Sequence, residues 1–308
     1  MVDNNFPQNM GQTGIPAGQP IQPAGNPLAK HLRQPKIYIK LPSNGEYWPS
    51  NSLNKAENGE YPVYAMTAKD EITMKTPDAL LNGQATVNVI QSCFPNAVDA
   101  WQCPSIDLDA ILVAIRMASY GEKIDMSAEV PNTGMVKEFQ LDLQTILDHL
   151  TNTVYEDIFQ IDGFKVQIRP INYKSSTQQA IKAFEEQRIF TTVNDDTISE
   201  EVKLERFSKS FAKLTDININ VVVNSVVAIQ PDGEEDAVTN PNYLKEFIEG
   251  AEAGVFNAIQ AHISKQKDKF QQRPIKIEAT PEELEAGAPQ TYELPITFDQ
   301  SNFFGSGS

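Results

Sequence analysis

Ile124-Asp-Met-Ser-Ala-Glu-Val-Pro-Asn-Thr-Gly134, running on to Glu138-Phe-Gln-Leu-Asp-Leu143, reads as a strand, a Pro-containing turn and a second strand. The outline returns near the end of the chain, from Ile275-Lys-Ile-Glu-Ala-Thr-Pro-Glu-Glu-Leu284 to Tyr292-Glu-Leu-Pro-Ile-Thr-Phe-Asp299. Small β-ribbons of this kind are often stapled by zinc. Here the staple is missing, because Val130-Pro-Asn-Thr-Gly134 stands where a metal ribbon carries Cys-Pro-x-Cys-Gly. Two degenerate, zinc-ribbon-like hairpins are therefore expected, held by packing and by partners.

Between and before the ribbons the pattern is mixed. Ile37–Leu41 and Glu60–Met66 read as short strands, and Pro42-Ser-Asn-Gly45 as a turn whose Asn-Gly step suits positive φ. Thr67 and Asp70 mark a helix start, as does Thr76-Pro77, whose short helix would end at Gly83. Asp107–Ser119 is the clearest helix of the first half, with Leu108, Ile111, Leu112, Ile115 and Ala118 on one face and Gly121 as its stop. Leu143–Leu150 is a brief helix and Phe164–Pro170 a strand.

The middle is helical. Ser175 or Ser176 is the expected cap of a helix carrying Ala180, Ile181 and Phe184, and Thr197-Ile-Ser-Glu200 is a capping box. Behind that box Leu204, Phe207, Phe211 and Leu214 have the spacing of a helix-packing seam. The helix is expected to run into the β-branched segment 217–230 and the chain to become extended before Pro231. Asn240-Pro241 opens the last helix, read as one element with apolar residues from Leu244 to Ile263 and with Lys265, Lys267 and Lys269 at its end.

The expected fold class is α+β: a helical middle with short strands and two β-ribbon hairpins, behind a disordered N-terminal arm. The expected divisions are a flexible arm over residues 1–35, rich in Pro, Gly and Gln, an α/β domain with the first ribbon over 36–172, a helical region over 173–272, and the second ribbon and tail over 273–308. Hydrophobic residues make up 40 % of the 308 and charged residues 21 %, an ordinary globular balance. The net charge of −16 argues against a duplex nucleic-acid binder. No apolar run is long enough to span a bilayer and the N-terminus lacks the pattern of a signal peptide, so residence in a host cytoplasm is expected.

Catalytic patterns are missing. The chain has no Gly-x-Ser-x-Gly elbow, no phosphate loop and no dinucleotide fingerprint, and Asp107 with Asp109 reads as helix capping or loop solvation. The metal candidates are Cys93, Cys103 and His149, but the cysteine spacing is loose for a zinc knuckle and a structural site needs four ligands. No cofactor is expected, and both thiols are taken as reduced. Interaction features are better represented: Tyr47, Trp48, Phe303 and Phe304 are aromatics in turn-rich or terminal surroundings, the type that anchors interfaces when exposed.

A series of short motifs in order completes the reading. Leu41-Pro-Ser-Asn-Gly45, Met66-Thr-Ala-Lys-Asp-Glu71, Thr76-Pro-Asp78, Leu80-Leu-Asn-Gly83, Ser92-Cys93, Asp109 with Ile115-Arg116 and Tyr120-Gly121, Leu141-Asp-Leu143, Arg169-Pro170, and Phe298-Asp299 with Asn302-Phe-Phe304 are found together. This ordered set resembles the baseplate hub proteins of T-even-type contractile-tailed bacteriophages. The resemblance implies a structural part of the tail baseplate hub, without catalysis, that meets other tail proteins during assembly and resides in the virion tail. It also implies Cys-Pro-x-Cys ribbons in many relatives, a pattern from which Val130 and Thr133 depart. Two alternatives stand beside it: a transient assembly chaperone absent from the virion, and a zinc-ribbon interaction module.

Overall fold

A computed structural model describes residues 33–76, 83–161, 163–192, 199–271 and 274–294. The chain divides into the units Met1–Gln34 and Pro35–Ser308. Residues 1–32 lie outside the described part, and with them nearly all of the expected arm. The helix expected from Thr76-Pro77 to Gly83 and the box at Thr197 also fall, in whole or in part, outside it.

The fold is α+β. Among the described residues there are four small antiparallel sheets and nine α-helices. Strand β1 (Pro35–Ile39) pairs with β2 (Tyr61–Tyr64), and the turn after β1 places Asn44 and Gly45 at φ 51° and 75°. A Cβ on Gly45 would stand 3.0 Å from Leu53 and 3.1 Å from the Tyr61 hydroxyl, so both the backbone and the space require glycine. Helix α1 (Ala68–Met74) starts with the expected capping box between Thr67 and Asp70. Helix α2 (Gln84–Cys93) and a 3-10 turn (Ala100–Gln102) lead to α3 (Ser105–Tyr120).

Helix α3 is the axis of the main core. A single apolar stripe was the expectation, yet Ile106, Ala110, Ile111, Leu112, Val113, Ala114 and Ile115 are all buried, which covers every side of the helix. Around it pack Ile39 and Val63 from the first sheet, Val87 and Ile90 from α2, and Leu143, Ile146 and Leu150 from α4 (Leu143–Asn152).

Strands β5 (Ile158–Ile161), β6 (Phe164–Ile168) and β7 (Val226–Pro231) form one sheet with β6 at its centre. The two long middle helices, α5 (Tyr173–Thr192) and α6 (Glu200–Ser225), lie between β6 and β7 in the chain. As the sequence predicts, α6 runs through Ile217 and hands over to a strand at Val226. The cap of α5 differs from expectation: Asn172 Oδ1, not Ser175 or Ser176, accepts from the Ser175 backbone N–H at 2.9 Å. The last long helix is in fact two, α7 (Pro241–Gly250) and α8 (Ala253–Lys269), because Ala251 and Glu252 turn extended between Gly250 and Gly254. Two glycines within five residues weaken helical continuity enough for the chain to break there. Leu244, Ile248 and Ile259 still face one second core, with Val166, Ile168, Val222 and Ile229.

Candidate functional site

The two ribbons meet. Strands β3 (Lys123–Glu129) and β4 (Val136–Asp142) pair over their full length, and β8 (Ile275–Glu278) pairs with β9 (Thr291–Leu294) around the short helix α9 (Pro281–Glu285). A small separate core joins them, made of Val130, Ala288, Tyr292 and Leu294 with Phe139 and Ile277 against it. Val130, at one position where a metal ribbon has Cys, is thus an apolar plug. Thr133, at the other, holds its turn through its hydroxyl, which donates to the Val130 carbonyl and accepts from the Met135 N–H, both at 3.0 Å.

A buried carboxylate clasps the pair. Glu283 caps α9 by accepting from the Thr280 N–H at 2.9 Å, and it also accepts from Lys137 Nζ at 2.9 Å and the Tyr292 hydroxyl at 3.2 Å. The Lys137 ammonium holds the Glu283 carboxyl below the usual carboxylate range, and Glu283 in turn raises Lys137. The hairpins are legible in the sequence; this clasp is not. Its one signal was Thr280-Pro-Glu-Glu283, a capping-box pattern that gives no hint of Lys137, 146 positions away.

A second buried carboxylate ties the N-terminal turn to α3. Asp107 is fully buried and accepts from the Ser43 N–H at 2.8 Å, from the Ser43 hydroxyl, and from Trp48 Nε1 at 2.7 Å. Capping or solvation was expected of it; instead it satisfies donors from a loop about sixty residues away, while Pro104 occupies the N-cap position. Burial pushes the Asp107 carboxyl up to about 6, against the opposing pull of its three donors. Trp48, expected at an interface, is 6 % exposed and belongs to the main core. Tyr47 is half-buried, its ring edge-on to Tyr155 at 5.4 Å, and burial raises its hydroxyl to about 12. Phe303 and Phe304 lie outside the described residues.

Cys93 and Cys103 are buried and form no disulfide, and burial pushes the Cys103 thiol well above its ordinary value. His149 Nε2 faces the Lys269 carbonyl at 3.2 Å. Among the described residues no group of three or more His, Cys, Asp or Glu is placed to hold a metal ion.

The largest departure from expectation is on α5 and α6. Leu204, Phe207 and Phe211 were read as a packing seam, yet they are 68 %, 43 % and 61 % exposed, and Phe184 on α5 is 59 % exposed. The helices are joined along another face: Glu186 pairs with Lys213 at 2.8 Å beside the buried Ser210, and Leu214 is half-buried. The seam spacing is real, but among the described residues its outer half enters none of the cores. Burying a side chain of this size stabilises by about 1.5–3 kcal/mol, so leaving a row of them in water is a standing cost.

Residues 34–280 match the T4 bacteriophage base plate protein family. The chain belongs to that family. The match takes in the main core, the second core, the α5–α6 pair and the first ribbon, and it ends at Thr280, inside the second ribbon. No curated protein and no solved structure matches the chain. Membership gives this baseplate protein a structural role in the phage tail, with other tail proteins as its partners. No described helix is long and apolar enough to cross a membrane.

Proposed function

We propose that this baseplate protein is a subunit of the hub that takes part in contractile-tail assembly through protein contacts and without chemistry of its own. The observation that carries the reading is the apolar row Leu204, Phe207 and Phe211 along one face of α6, with Phe184 also exposed on α5. Such a row has the spacing by which one helix receives another, and a subunit that is completed by its neighbours retains it. The buried carboxylates fit the same reading, since Asp107 and Glu283 spend their acceptor capacity on donors of the fold.

The test is complementation of a phage lacking this protein. Leu204→Glu with Phe211→Glu is expected to leave the far-ultraviolet circular dichroism and thermal midpoint of the purified protein nearly unchanged and to reduce its incorporation into baseplates strongly. Normal incorporation of the folded double variant refutes the role given to the row. Fractionation of hub and wedge subassemblies tests the finer statement, with the protein expected in the hub fraction. Mass spectrometry of purified virions separates a resident subunit from a chaperone that leaves before completion.

A further inference from the structure

A cleft of about 350 Å³ opens where α5, α6, α8 and the start of α3 converge. Its walls are apolar, built by Ile106, Ala180, Ile217, Val221 and Ile263. That volume lies at the low end of ligand sites and suits one large apolar side chain with its flanking backbone. On α5, Ser176 and Gln179 turn toward the cleft one helical turn apart, half-buried and without a side-chain hydrogen bond among the described residues. A hydroxyl and a primary amide so placed supply the donors and acceptor that a peptide backbone needs.

The charge is the second observation. The chain carries 41 acidic residues against 25 Lys and Arg, yet no Asp or Glu lines this cleft among the described residues. Two cations do, Arg169 and Lys267, both exposed and neither in an ion pair among the described residues. Nearby cations are otherwise engaged, as Lys269 is with Glu156 at 3.0 Å and Lys213 with Glu186 at 2.8 Å.

We infer that this cleft is a docking site for an acidic, aromatic- or leucine-bearing segment of a partner protein. The apolar side chain enters between α5, α6 and α8, carboxylates on either side meet Arg169 and Lys267, and the segment's backbone bonds to Ser176 and Gln179. A lipid acyl chain would use the walls and the cations but leave the amide and the hydroxyl unanswered, so a peptide is the better fit. The inference deepens the reading of the protein as one that works by contacts and rests on it for its biological meaning.

The experiment is amide chemical-shift mapping on the full-length protein, titrated with the acetylated, amidated hexapeptide Asp-Glu-Phe-Leu-Glu-Asp and with its neutral counterpart Asn-Gln-Phe-Leu-Gln-Asn. The acidic peptide is expected to move the signals of Ser176, Gln179 and Ala180 and to bind at least about tenfold more tightly than the neutral one. Arg169→Glu with Lys267→Glu should remove that preference, Ala180→Trp should block both peptides, and Lys245→Glu, on α7, should change neither. Shifts confined to other surfaces, no shifts, or equal affinity for the two peptides overturn the proposal. So does displacement of the acidic peptide by oleate acting on the same signals, which assigns the cleft to lipid. Because the titration uses the isolated protein, its failure leaves baseplate incorporation to be judged separately by the complementation above.

Discussion

Asp107 shows how a single residue can be legible in type and misread in role. An acidic residue in the first turn of a helix is ordinarily a cap or a dipole partner, and nothing in the local sequence distinguishes this one. Its role comes from Ser43 and Trp48, brought to it by the turn at Asn44 and Gly45. The same contact explains Trp48, whose turn-rich neighbourhood predicted exposure and whose indole N–H instead finds a buried acceptor. Replacing Asp107 by Asn sets an amide donor or a lost acceptor against Trp48 or Ser43, with an expected cost of about 1–3 kcal/mol in denaturant unfolding. The pH dependence has a definite sign. The folded value of about 6 lies above the ordinary 3.8, so stability from Asp107 is complete below 3.8 and is lost as pH rises through about 6. The gap between wild type and Asp107→Asn should therefore be wider at pH 4 than at pH 7; equal gaps contradict this assignment. Native Cys93 and Cys103, both buried, should resist a thiol reagent until the protein unfolds, and rapid native labelling of either would contradict a closely packed main core.

Elements were read better than contacts. The two ribbons, the first sheet, α1 with its capping box, α3 and the handover from α6 to β7 all follow from local pattern, because period, turn residues and caps act within a few positions. The single helix read over 241–269 failed at Gly250 and Gly254, where an unbroken apolar stripe outvoted two helix-weakening residues. The α6 seam had the right spacing, but spacing reports that a face seeks a partner and is silent on whether the partner lies in the same chain. The ribbon clasp could not be read at all, since Lys137 and Glu283 become neighbours only through the fold. Glu283→Gln should speed hydrogen exchange in both ribbons, 123–142 and 275–294, and leave α3 protected. Loosening of the second ribbon alone would show that the clasp does not couple the two. Lys137 depresses the Glu283 carboxyl, so the clasp contributes above the ordinary value of 4.5 and should be lost as pH falls below it.

At the scale of the molecule, the described residues pack well in the interior and leave one apolar face of α6 exposed. The main core surrounds α3, the second core joins the three-stranded sheet to α7 and α8, and the ribbons have a small core of their own. Against that background Leu204, Phe207 and Phe211 stand out because they follow one another along one face of α6, with Phe184 exposed on α5, whereas the equally exposed Tyr38, Ile72, Val154 and Tyr243 lie on separate segments. Membership in the T4 base plate family gives this exposure a setting, an assembly in which subunits cover one another. Hydroxyl-radical footprinting of Phe184, Leu204 and Phe211, compared between the purified protein and purified baseplates, tests this most directly. Strong protection of all three side chains in the baseplate is the predicted result, and unchanged reactivity on assembly contradicts the account.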